Sequence, residues 1–238
     1  MIRHFPSVPS LMSMDDSTLH IAFEASLPLQ QSIEGFIDGM LAEPGRCHLE
    51  ELNALVVPFV DEVLSVFFKG PLQAAEAKGA SARLILGAMR VINRSANSLI
   101  GRLMKNTTLD EQLALARYFQ NLRRYQGNKL YVAYPLSPAM AEKACLVFQA
   151  SLLGEEDMAG LLDVLQAIND GAITHFMDNS VACLTLGRVN RALVSAARVT
   201  ICKATASATH KGVPGMEASA RTAVVHYFDQ MLIRFDDG

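Results

Sequence analysis

The chain has 238 residues, of which 50% are hydrophobic and 19% charged, and its net charge is −3. A charged share below the usual level of about 25% excludes a disordered or fibrous chain and predicts one large buried core. The acidic balance argues against a dedicated nucleic-acid binder, which is normally strongly basic.

Taken in chain order, the pattern reads as helix almost throughout. Residues 28–42 form a first helix, opened by Pro28 and ended near Pro44-Gly45. Residues 48–69 form a longer one, kinked at Pro58 because proline removes a backbone donor, and Gly70-Pro71 breaks the chain. A third helix covers 72–105, interrupted at Gly79. Thr108 and Glu111 make a capping box that starts a helix ending near Gly127. Residues 128–135 have the only β character and are read as a loop or a single extended stretch. Ser137 and Pro138 open the next helix as cap and first-turn proline, which runs to Leu153. Helices over 155–170 and 172–210, joined through Gly171, and over 216–234 complete the chain. The expectation is an all-α bundle of seven to nine helices in a single domain, 1–238, whose weakest seam is 127–138. Residues 180–210, rich in alanine, are expected to form a thin central helix.

Cys47, Cys145, Cys183 and Cys202 are widely spaced and form no CxxC pair, which fits reduced thiols. The first sixteen residues lack an apolar stretch of signal-peptide length. Leu52 to Phe68 falls short of the roughly 20 residues of a membrane span. These features predict a soluble, cytoplasmic protein with no membrane partner, and the apolar composition suits a homo-oligomer such as a dimer.

The charge is segregated. Residues 77–130 carry ten basic and two acidic groups, while residues 1–76 carry three basic and eleven acidic ones. On a helix, Arg83, Arg90 and Arg94 fall within one narrow arc opposite Ile85, Met89, Ile92 and Leu99. Arg117 and Arg124 follow seven residues apart, and four of the five tyrosines, Tyr118, Tyr125, Tyr131 and Tyr134, lie in the same stretch. A basic face with aromatic neighbours suits an anionic partner, because the arginine fork matches carboxylate geometry. The leading expectation is a non-enzymatic regulatory or adaptor protein, without a cofactor. It would bind an acidic protein partner through Arg83, Arg90, Arg94, Arg117, Arg124, Tyr125 and Tyr131. Internal pairing with acidic helices is the structural alternative for these arginines, and core packing the alternative for the tyrosines.

Two other chemistries have sequence support. His175 with Asp178 and His226 with Asp229 both read H-x-x-D, and residues three apart share a helix face. Two such pairs from facing helices would serve a metal-dependent all-α enzyme. Eleven Met, eleven Phe and no Trp describe an adaptable core that suits a pocket for an apolar small molecule. Phosphate-cradling, nucleophile-elbow and zinc-protease motifs are absent from the chain.

Overall fold

The computed structural model describes residues 18–155 and 157–235. The residues on which the signal-peptide reading rests lie outside that range. Eight helices are described when segments joined by π-turns are taken as continuous, together with a four-stranded antiparallel sheet. The all-α expectation therefore holds for most of the chain and fails for the sheet.

Strand β1 (Leu19–Glu24) precedes helix α1 (Leu27–Ala42), whose cap is Ser26: its hydroxyl accepts from the Leu29 N–H, with Pro28 in the first turn. Helix α2 (Leu49–Leu64) continues through a π-turn at Ser65–Lys69 into α3 (Gly70–Ala74). The predicted break at Gly70-Pro71 is thus absorbed by the wider turn. The Gly70 N–H bonds the Ser65 carbonyl, five residues back. Pro71 has no N–H to offer, and the Val66 carbonyl receives the Tyr227 hydroxyl at 2.9 Å instead. Glycine is required at 70 by packing, since a Cβ there would collide with that hydroxyl. The chain does break just beyond, at Glu76 (φ 46°) and Gly79 (φ 79°).

Helix α4 (Gly79–Leu103) and helix α5 (Leu109–Leu122) follow, the latter opened by the predicted capping box with both of its hydrogen bonds present. Helix α5 stops at Leu122 rather than near Gly127, because Arg123–Gln126 form strand β2, paired with β3 (Lys129–Pro135). Gly127, at φ 59°, takes the first central position of the two-residue turn, where a tight hairpin requires a positive φ. The local helical pattern loses here to cross-strand pairing.

Helix α6 (Pro138–Leu152) starts on Ser137 and Pro138 as expected. Helix α7 (Met158–Ala172) passes through a second π-turn at Ile173–Asp178 into α8 (Asn179–Ala182). Gly171 lies inside α7, where a Cβ would press on the Tyr134 ring. The predicted 172–210 helix is two pieces, because the chain turns before α9 (Arg188–Ser207), which ends in a third π-turn at Ala208–Gly212. Helix α10 (Ala218–Asp229) and strand β4 (Leu232–Arg234) replace the single helix expected over 216–234.

The sheet order is β2-β3-β1-β4, so segments more than 100 residues apart meet in it: Ala22 pairs with Ala133, and His20 with Ile233. One face, with Leu19, Ile21 and Phe23, joins the main core; the other buries Ala22 and Ala133 under Phe235. Helix α9 is not the central helix. Within it only Ile201 and Thr205 are buried, and Val189, Leu193 and Val199 are exposed. Its small residues serve a close approach to α4 at the periphery. No described helix is long and apolar enough to cross a membrane.

Candidate functional site

The principal concavity lies between α2, α4, α5, the α7–α8 segment and α9. Its volume is about 160 Å³, and no charged side chain lines it. Helix α2 contributes Val56, Phe59 and Val60, and the first π-turn adds Phe67 and Phe68. Helix α4 turns Ile92, Ala96 and Leu99 towards it, α5 turns Leu115 and Phe119, and the second π-turn supplies Phe176 and Met177. These positions follow from amphipathic spacing, except where a π-turn shifts the helical phase; such turns recur at functional sites. Phe176 meets Phe59 and Phe67 edge-on, with ring centres 5.6 and 6.1 Å apart.

Four polar side chains interrupt this apolar wall: Tyr118, Asn169, Ser180 and Thr205. The Tyr118 hydroxyl donates to the carbonyls of His175 at 2.9 Å and Phe176 at 3.3 Å, and burial pushes its pKa upward. The Ser180 hydroxyl donates to the Phe176 and Met177 carbonyls at 3.0 and 2.8 Å. Both groups thus close on the second π-turn and leave a hydrocarbon surface. Asn169 donates its amide to the Thr209 hydroxyl at 3.3 Å.

A smaller cavity of about 40 Å³ lies behind the first and shares Phe67, Phe68 and Asn169 with it. Those three side chains form the partition between the two.

The basic residues singled out by sequence lie on three elements. Arg83, Arg90 and Arg94 are exposed along α4, and Arg117 is exposed on α5. None of the four forms an ion pair among the described residues. Arg124 and Tyr131 face each other across the β2–β3 pair, and Arg124 donates to the carbonyls of Asn121 and Arg123. Tyr125 donates to Glu34 at 2.9 Å, and Tyr131 packs edge-on against Phe235. Tyr118 and Tyr134 are core residues; the Tyr134 hydroxyl donates to the Ile168 carbonyl at 2.5 Å.

The H-x-x-D pairs are not assembled into a metal centre: among the described residues no three His, Cys, Asp or Glu side chains are grouped to hold an ion. His175 stacks on Tyr134, with ring centres 5.0 Å apart, and burial lowers its pKa. Asp178 accepts from Arg198 Nε at 2.9 Å through both carboxylate oxygens. His226 is exposed and contacts Gln230 just past the end of its helix, and Asp229 is half-buried at the end of α10.

The cavity residues that sequence reasoning passed over carried a signal. Asn169 falls in phase with Leu161 and Leu165, and Thr205 in phase with Ile201 and Ala208, so two polar side chains occupy apolar stripe positions. Comparison with protein-family models, with curated proteins and with solved structures finds no match.

Proposed function

We propose that this protein binds a small, uncharged, largely hydrocarbon molecule in the cavity between α2, α4, α5, α7–α8 and α9, as a carrier or sensor rather than as an enzyme. The supporting observation is the cavity itself, at about 160 Å³ and walled by aliphatic and phenyl side chains. Protein interiors are close-packed. Apolar surface left facing such a concavity is water-accessible, and covering it with a hydrocarbon guest is favourable at roughly 25 cal/mol per Å². Apolar cavities near 150 Å³ take benzene-sized guests. The absence of a charged lining group favours neutral ligands, because an ion would enter unpaired.

Thermal unfolding with increasing benzene tests the reading. At a hundredfold excess over Kd, linkage raises stability by about 2.7 kcal/mol, or roughly 5–11 °C in Tm for a chain of this length. A Tm that falls or stays constant across the accessible benzene range contradicts it.

A second reading rests on the unpaired arginines of α4. Arg83, Arg90 and Arg94 face outward on the side opposite the cavity wall and would take an acidic polypeptide. Poly-glutamate binding that is lost in the double variant Arg90→Glu, Arg94→Glu, with unchanged Tm, supports it; binding that persists contradicts it.

A further inference from the structure

One end of the cavity differs chemically from the rest. Asn169, Thr205 and Thr209 are three of the few buried polar residues of the described chain, at 9%, 2% and 3% exposure, and they belong to one neighbourhood. Asn169 projects from α7, and Thr205 and Thr209 lie one turn apart on α9 and its π-turn. The Asn169 amide joins the two elements by donating to Thr209. Asn169 and Thr205 both line the larger cavity, while Asn169 and Thr209 line the smaller one.

Each remaining polar atom here has an unused role. The Thr205 hydroxyl makes no hydrogen bond to any described residue, and neither does the Asn169 carbonyl oxygen, whose amide partner alone is engaged. Neither atom is among those sealed from contact without a partner, so both remain accessible from the space that they line. The contrast with Tyr118 and Ser180 is chemical: those two hydroxyls on the same wall are spent on backbone carbonyls. A buried hydroxyl and a buried carbonyl normally find partners. A donor and an acceptor left free in the wall of one hydrocarbon cavity, linked through Thr209, match one group, a ligand hydroxyl, which accepts from one and donates to the other.

We propose that the ligand is a small neutral alcohol or phenol, its hydrocarbon body among the phenylalanines and its hydroxyl held by Thr205 and Asn169. Thr205 donates to the ligand oxygen, and the ligand O–H donates to the Asn169 carbonyl. Asn169 carries the contact on to Thr209 and the third π-turn. This inference rests on the apolar-ligand reading above and specifies the one polar feature of its ligand.

Calorimetric titration with phenol and benzene separates the two claims. In a wall without a hydrogen-bonding pole, phenol binds more weakly than benzene, because its hydroxyl is buried unpaired. The proposal predicts that wild-type protein binds phenol at least as tightly as benzene. Thr205→Val, which keeps the shape and removes the hydroxyl, weakens phenol about fivefold to tenfold and leaves benzene within about twofold. Thr205→Ser restores the phenol affinity. Should Thr205→Val not fold, the wild-type comparison of phenol with benzene decides alone. Benzene binding with phenol excluded, or phenol affinity unmoved by Thr205→Val, overturns the assignment of the pole while the apolar reading stands. Binding of neither probe overturns both.

Discussion

Filling the cavity from its own wall distinguishes a real void from a tightly packed core. Ala96 lies on the face of α4 that lines it, and Ala96→Leu adds three carbons there. Each buried methylene contributes about 0.8 kcal/mol, an upper gain of roughly 2.4 kcal/mol. Fixing the leucine rotamer costs about 0.5–1 kcal/mol, and the change in helix propensity is small. The net expectation is a stabilisation of about 1.5 kcal/mol, which for a chain of this size raises Tm by roughly 3–6 °C. The same variant loses benzene affinity, because the leucine competes for the same space. Chemical denaturation followed by circular dichroism measures the first quantity, and calorimetric titration the second. A destabilisation of more than about 1 kcal/mol is the signature of overpacking and would refute the void. Stabilisation with unchanged benzene affinity would place binding elsewhere.

Two further predictions concern the π-turns. Tyr227→Phe removes the hydroxyl that donates to the Val66 carbonyl and costs about 1–2 kcal/mol. Gly70→Ala drives a methyl into the same hydroxyl, so the double variant costs less than the two singles together, as a double-mutant cycle in urea will report; strict additivity would contradict the contact. Burial lowers the pKa of His175 below its ordinary 6.5, so the unfolded chain takes up that proton first. Its contribution to stability is complete above about pH 6.5 and is lost as the pH falls towards the depressed folded value. Because the ring is only partly buried the decline in Tm is modest, and His175→Gln should flatten it; an unchanged pH profile in that variant excludes His175 as its source.

Local signals in the sequence were reliable where the physics is local. The Thr108–Glu111 capping box, the Ser137-Pro138 helix start and the break at Gly79 depend on neighbours within four residues, and each has its expected place. Of the sheet, only β3 was legible, as the extended stretch over 128–135; β1 was not, because it is six residues long and meets its partners more than 100 residues away. Its alternation, Leu19, Ile21 and Phe23 against His20, Ala22 and Glu24, spans too few residues to stand out, and in β3 apolar residues on both faces blur the pattern. Gly70-Pro71 read as a stop because proline lacks a donor, and the remote Tyr227 hydroxyl supplies what that reading could not foresee. Alanine richness in α9 marked close approach correctly but not depth: small side chains let α9 lie against α4 without being surrounded. The arginines of α4 do face outward as the spacing implied, whereas Arg124, Tyr125 and Tyr131 belong to the sheet and contact Asn121, Glu34 and Phe235. For the cavity, the abundance of Phe and Met suggested an apolar pocket without locating it, and the π-turns place Phe67 and Phe176 within it.

The most direct test of the central claim is a methyl NMR titration of Ile, Leu and Val-labelled protein with benzene. The account predicts saturable shifts at Ile92, Leu99, Leu115, Ile173 and Ile201, which surround the cavity, and none at Leu146 and Leu153, which lie on the surface. Shifts that never saturate, or that appear at the surface methyls alone, would contradict it.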